Sequence, residues 1–376
     1  MLRVECTRCD RKGRYHVHKL LEKYGRKGNM MTFLSISANG AANGIVLNNT
    51  GALGGLTVTG SGATDGSGGT IQNITNRGVS AIDAVQINLS NMNFTNTGTV
   101  NGADPTDVFG TAGGLQAGTN TGANAGIHLQ NVTDAILVNL NLNRGVQCGI
   151  NGNNVTNFAL SDSVVENFGD QINEVGVRFK NLLGTSSMTN VIVRNNHTFQ
   201  TEIQNNTGSV NLAVTGSEFH DNDVLGTSVD GILFSGHGTS NAQMTINIQN
   251  SSFHDLASGG FFTDAGGNAD INVTIHNSTF QNFGSVPITI AKAGTAGAGA
   301  ANITFSITNN TISGAGQNPS GVGHGININK GYASSDDSFI TGTISGNTIG
   351  DIEAAGGPDT DDRAVASGSS ASRKAR

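Results

Sequence analysis

Nine times along the chain, two apolar residues stand one apart, a turn residue follows two further on, and another apolar residue comes three beyond that. The copies are Ile87-Leu89-Asn91-Phe94, Ala135-Leu137-Asn139-Leu142, Phe158-Leu160-Asp162-Val165, Val191-Val193-Asn195-Thr198 and Leu212-Val214-Gly216-Phe219, then Ile246-Ile248-Asn250-Phe253, Val273-Ile275-Asn277-Phe280, Phe305-Ile307-Asn309-Ile312 and Gly342-Ile344-Gly346-Ile349. The turn position holds Asn, Asp or Gly alone, the residues that enter left-handed backbone space most readily. The alternating pair gives a short strand with one inward face, the turn is too tight for a hairpin, and the last apolar residue opens a second inward strand. A third inward strand is predicted after a variable loop, at Ile127-His128-Leu129, Val177-Arg178-Phe179, Ile232-Leu233-Phe234, Pro287-Ile288-Thr289-Ile290 and Ile326-Asn327-Ile328. A fixed phrase recurring at roughly 20–40 residues predicts a solenoid of stacked coils. Coils about 4.8 Å apart would set Phe219, Phe253 and Phe280 over one another, with Thr198 as the polar member of that column, and would join the turn amides in a second column.

Three strands per coil, with one short Asn bend and two variable bends, resemble the right-handed parallel β-helix of the pectin-lyase-like superfamily over roughly Gly44–Asp351. That resemblance implies an all-β solenoid and leaves activity open, since one scaffold hosts many functions. Composition agrees: 54 Gly, no Trp, 4 Pro and 12% charged residues suit many short strands divided by Gly and Asn clusters. A chain of 376 residues would ordinarily divide into two or three globular domains, but a solenoid core grows along its axis, so one elongated domain is expected. Three cysteines, two of them among the first nine residues, exclude a disulfide framework.

The ends differ from the body. Residues 1–31 form a basic leader: nine Lys and Arg against three acidic residues give its first 30 positions about +6, and the remainder about −13. Val17, Leu20, Leu21 and Tyr24 fall at helical spacing, so a short amphipathic helix over Tyr15–Tyr24, stopped by Gly25, is expected to cap the coils or to be unrelated to them. The abrupt changes at the ends are expected to mark either a fragment or a reading frame joined to unrelated sequence, and the leader resembles the start of short bacterial proteins carrying a Cys-rich knuckle, which favours the joined frame. Residues 352–376 are polar, small and without the phrase, and are expected to be a disordered tail. Without caps, solenoid ends invite end-to-end self-association.

Candidate chemistry is sparse. Cys6, Cys9, His16 and His18 have the donor atoms of a zinc shell, but the His-x-His spacing departs from the usual finger, so incidental thiols in a basic leader are the plainer reading. Nucleic-acid binding is not expected, because no groove-reading fold accompanies the charges. Enzymes on this scaffold act on acidic polysaccharides, which implies an outer groove with carboxylates for calcium and an Arg base, or a Gly-His-Gly and Arg-x-Lys set. The chain holds Gly236-His237-Gly238, Gly323-His324-Gly325 and Arg178-Phe179-Lys180, but in the wrong order and without an Asn-Thr-Asp segment. Asp170, Glu174, Arg178, Lys180 and Glu202 form the densest charge group and, with His237, are the residues an enzyme would use; a salt-bridged outer strand explains them as well. Phe219-His220-Asp221 and Phe253-His254-Asp255 occupy like places in successive coils, so their polar groups form either a hydrated surface ladder or a seat for a divalent cation. Cys148 reads as a small core residue.

No stretch approaches 18 apolar residues, so no transmembrane segment is expected, and no export signal is evident. The acidic Asn/Thr/Gly-rich body is similar to bacterial autotransporter-passenger and adhesin regions, which implies an extracellular or cell-surface protein. The function expected is therefore a non-catalytic β-helix binding glycans or surface components, with no cofactor. The alternative is a polysaccharide lyase or glycoside hydrolase, with calcium where acidic polysaccharide is the substrate.

Overall fold

The computed structural model describes residues 2–5, 12–15, 31–52, 54–103, 120–171, 174–222, 230–236, 239–292, 300–314, 324–329 and 338–350. Its strands form a right-handed parallel β-helix with three faces. In four coils one strand runs across faces A and B: Arg77–Ser90, Ala125–Val138, Cys148–Ser161 and Val177–Thr189. Later coils divide it, as in Thr201–Gln204 then Ser209–Thr215, and Ile232–Gly236 then Gln243–Gln249. Face C follows the short bend with strands such as Met92–Thr97, Val164–Phe168, Glu218–Asn222, Ser252–Leu256 and Thr279–Phe283. Equivalent strands pair in parallel one coil apart, so each residue lies against its counterparts above and below.

Parallel coiling begins at Met31–Phe33, paired with Leu56–Val58, earlier than Gly44, and runs to Thr348–Ile349. Before it, Leu2–Glu5 pairs antiparallel with Lys12–Tyr15 and meets Ile36 and Ser37 through Val4 and Arg3, covering the edge of face C with a hairpin. The helix expected over Tyr15–Tyr24 falls outside the described residues except for Tyr15, which ends that hairpin; residues 352–376 also lie outside them. No helix among the described residues is long and apolar enough to cross a membrane.

The core is the predicted column. Phe219 and Phe253 stack with ring centroids 4.9 Å apart and planes 13° from parallel, and Phe253 and Phe280 at 4.7 Å and 2°. The spacing is that of adjacent strands, so the backbone sets the ring geometry. Thr198 is not in the column. Val193 pairs with Phe219 there, and the true copy of the phrase in this coil is Ser186-Met188-Asn190-Val193. Ser186 is a buried polar residue in an inward slot, tolerated because its Oγ accepts the Phe158 N–H at 3.2 Å. Thr198 sits in the turn toward face A, where its N–H donates to the Glu174 carbonyl at 2.9 Å.

All nine turn residues of the phrase have positive φ, from 49° at Asn277 to 66° at Gly346. Asn139 Nδ2 donates to Asn91 Oδ1 at 2.7 Å and Asn190 Nδ2 to Asp162 Oδ1 at 3.1 Å, so the turn amides do join neighbouring coils. One residue on, a second bonded column already links Leu140 N–H to Ser163 Oγ and Val191 N–H to Ser217 Oγ, and it continues past Gly216, which has no side chain to extend the turn ladder. Ser217 N–H donates to Ser251 Oγ, Ser251 N–H to Ser278 Oγ, Ser278 N–H to Asn310 Oδ1 and Asn310 N–H to Asn347 Oδ1. The corner between faces A and B, expected as a variable loop, is equally tight in four coils: Asp83, Asn131, Asn154 and Asn181 are left-handed there and linked amide to oxygen.

Candidate functional site

Alternation puts Val177 and Phe179 of face A inside and sends Arg178 and Lys180 outward. Two outward rows result. One carries Ser80, His128, Asn151, Arg178, Glu202 and Leu233; the other carries Asn153, Lys180, Gln204, Ser235 and Asp264. Every one of these side chains is buried. Asn120, from the loop that follows face C, reaches Asn151 Oδ1, the Gly152 carbonyl and Asn153. Asn151 Nδ2 lies 2.9 Å from His128 Nδ1, which therefore accepts. Burial, with the Arg77 charge beside it, pushes His128 down to about 3, so the ring is neutral.

Arg178 Nε meets Glu202 Oε2 at 3.0 Å with both side chains at most 5% exposed, and Gln204 Nε2 donates to Glu202 Oε1. Arg178, Lys180 and Glu202 thus share the covered outer side of face A, while Asp170 and Glu174 stand at the corner that precedes it. Glu174 turns back on its own loop, its carboxylate accepting the N–H groups of Asp170 and Gln171. Burial pushes Glu174 up to about 7, the two backbone bonds resist, and the Asp170 charge adds to the rise. His237 and the tetrad Cys6, Cys9, His16 and His18 lie outside the described residues. His324 precedes Ile326, which is five coils from Val177 on face A, about 24 Å away at strand spacing. Cys148 is buried in an apolar cluster with Ala125, Val175, Phe199 and Leu233.

Protonation of Glu174 couples the stability of the fold to pH. Its folded value near 7 exceeds the ordinary 4.5, so the unfolded chain releases the proton first and stability falls as pH rises from about 4.5 to 7. Glu174→Gln removes that fall. The variant is expected to gain about 1–2 kcal/mol on the wild type at pH 8, solvent screening keeping the effect below the full shift, and nothing at pH 4. Urea denaturation at the two pH values measures it.

One residue of the site carries no mark in the sequence. The corner from face C to face A is a left-handed column of Asn73, Asn96, Asn167, Asn195, Asp221, Asp255, Asn282 and Gly314, and its remaining member is Arg144 at φ 74°. Asn96 Nδ2 donates to Asn73 Oδ1, but Asn167, next to Arg144, bonds instead to Asn143 Oδ1. Arg144 is exposed and lines a cleft of about 450 Å³ with Asn73, Asn96, Thr99, Asn167 and Asp170.

On the outer side of face C, His220 and His254 stack at 4.6 Å, and Glu218 Oε1 lies 2.8 Å from His254 Nε2 and 4.0 Å from His220 Nε2. For His254, burial opposes protonation, but hydrogen bonds to Glu218 and Asp255 and the charges of both overcome it, so its pKa is raised. The ladder expected from the sequence is therefore present, with Glu218 as an added member.

The sequence matches no protein-family model and no curated protein. Among solved structures, the A-module of a mannuronan C-5 epimerase from Azotobacter vinelandii is similar at 15% identity with a TM-score of 0.30, over 86% of this chain and 90% of that one.

Proposed function

We propose that the protein is a non-catalytic β-helix of the cell surface or extracellular space, adhesin- or passenger-like, that binds acidic glycans in the cleft at Arg144. The observation that carries this reading is Arg144 itself: a long cationic side chain in left-handed backbone, where its column otherwise holds Asn, Asp or Gly. Such a conformation costs about 1–2 kcal/mol for a non-glycine residue, and costs of this kind concentrate at binding sites. An exposed guanidinium pairs a uronate carboxylate with two parallel N–H donors, while Asp170 and the Asn73, Asn96 and Asn167 amides offer acceptors and donors to sugar hydroxyls. The buried Arg178–Glu202 pair also favours binding over turnover, since substrate has no open path to it.

Isothermal titration with oligouronides tests the reading. Arg144→Asn restores the ladder residue of its column, so the fold is kept and affinity is expected to fall about 10–100-fold, the worth of one charged hydrogen bond. Unchanged affinity in that variant would remove Arg144 from the site and the proposal with it.

Glu174 favours a second reading. A carboxyl group near 7, buried behind the cleft and bonded to the N–H of Asp170, which lines it, has the character of a general acid, as a polysaccharide lyase or hydrolase requires. Release of unsaturated or reducing uronide ends, with or without calcium, and its loss in Glu174→Gln would establish that chemistry in place of simple binding.

A further inference from the structure

Glu218, His220 and His254 stand apart from the Arg144 cleft and from the face-A rows. Face C pairs Glu218 with Ser252, and His220 with His254, in adjacent coils. Alternation turns Phe219 and Phe253 into the core and these three residues outward. One donor atom from each lies within 4.8 Å of the other two. The repeat does not extend the histidine row, because Arg194 precedes His220 in register and Gln281 follows His254. Arg194 is drawn aside to Glu166, at 2.7 Å. The arrangement is thus one discrete set of three donors.

The rings are oriented from behind. Asp221 and Asp255 each follow a histidine and adopt left-handed backbone, φ 51° and 53°. That turn brings each carboxylate back onto its own neighbour: Asp221 Oδ2 lies 2.9 Å from His220 Nδ1, and Asp255 Oδ2 lies 2.8 Å from His254 Nδ1. Asn282 holds Asp255 in turn, donating to its other oxygen at 3.0 Å. His254 Nδ1 is hydrogen-bonded to its carboxylate, whereas His220 Nδ1 stands close to one without hydrogen-bond geometry; the Nε2 lone pairs are the available ones, and both Nε2 atoms lie on the side of the same oxygen of Glu218. A carboxylate behind each imidazole and a carboxylate in front is the pattern that orients and strengthens histidine as a metal ligand.

We propose that Glu218 Oε1, His220 Nε2 and His254 Nε2 bind one divalent transition ion of the zinc class, with water completing the shell. Two imidazoles and one carboxylate suit zinc, cobalt or nickel; calcium and magnesium would ask for a shell of oxygens. Metal–ligand bonds of about 2.0–2.1 Å place tetrahedral donors about 3.3 Å apart. The Glu218–His254 contact of 2.8 Å opens slightly, the Glu218–His220 separation of 4.0 Å closes slightly, and the two imidazoles, stacked at 4.6 Å with all three donors within 4.8 Å, tilt toward one another to meet that value. The same corner chemistry that makes the coil turn, an Asx residue in left-handed space, supplies the carboxylates behind the site.

The test is titration of the untagged full chain with Zn²⁺, in a Cys6→Ser/Cys9→Ser background so that leader thiols do not compete. One equivalent per chain is expected by calorimetry, and Co²⁺ in its place should show visible d–d absorption without thiolate charge transfer. His254→Gln keeps the fold, since Gln281 already occupies the next place in that row, and is expected to lose stoichiometric binding, as is Glu218→Gln. Asp255→Asn leaves all three ligands in place and is expected to weaken binding about 10–100-fold, which an incidental surface contact would not do. Absence of saturable binding, or binding with equal affinity in His254→Gln, overturns the proposal. Circular dichroism and the melting temperature of each metal-free variant separate lost binding from lost fold.

Discussion

Phe253→Ala is expected to cost about 3–5 kcal/mol. The ring is fully buried between Phe219 and Phe280, so its removal strips contacts from two inter-coil interfaces at once. The cavity has no means of closing. Beside the ring stands Gly231, where an added Cβ would come within 2.8 Å of Phe253 Cδ1; the chain gave up a side chain there to admit the ring. Strand spacing is fixed by hydrogen bonds along the axis, so the coils above and below cannot settle into the gap. Phe253→Leu refills most of the volume and is expected to cost less than about 1.5 kcal/mol. Stability in a solenoid is a sum of coil and nearest-neighbour terms, so the damage should also be local. Amide exchange should quicken in Glu218–Asn222, Ser252–Leu256 and Thr279–Phe283 before the distant coils. A loss below about 1 kcal/mol would show that the stacked column is not what holds these coils together.

The fold was legible because its two causes are written locally. Apolar alternation gives inward strands, and Asn, Asp or Gly gives left-handed turns; all nine marked turns are left-handed. The same economy explains the misplacement of Thr198. Asn serves at every corner of the coil, so the phrase around Asn195 satisfies the pattern while belonging to the corner between faces C and A, in line with Asn167 and Asp221. The true copy was hidden by Ser186, a polar residue in an inward slot that only its bond to Phe158 N–H excuses. The candidate site was less legible for a different reason. Asp170, Glu174, Arg178 and Lys180 are close in sequence, but a corner intervenes, so the two acids serve a loop while the two cations enter the face-A rows. Glu202 joins Arg178 because it lies one coil on, a relation that the phrase predicts once the register is right. Arg144 and Glu218 were missed because each is informative only by comparison down a column. Arg144 departs from a corner of Asn, Asp and Gly, and Glu218 becomes a partner of His254 through the adjacent coil.

Glu202→Ala is expected to destabilise the protein by about 3–5 kcal/mol, because it removes the carboxylate that Arg178 meets while the guanidinium stays buried. Arg178→Ala is expected to cost less. The Glu202 carboxylate it strands still accepts from Gln204 Nε2, and a neutral, protonated form is open to a carboxyl group in a way that it is not to a guanidinium. Replacing both, as Arg178→Met with Glu202→Leu, should return stability to within about 1 kcal/mol of the wild type. The row supports that outcome: Leu233, next in register after Glu202, is already apolar and packs with Val175, Phe199 and Phe262. The double variant would extend that cluster by two coils. The set also separates the two functional readings. If Arg178 and Glu202 are a structural pair under a covered face, the double variant keeps full oligouronide affinity at the Arg144 cleft. If instead they serve as base and partner in an open groove, Glu202→Ala would scarcely change stability, and the double variant would abolish uronide release however well it folds.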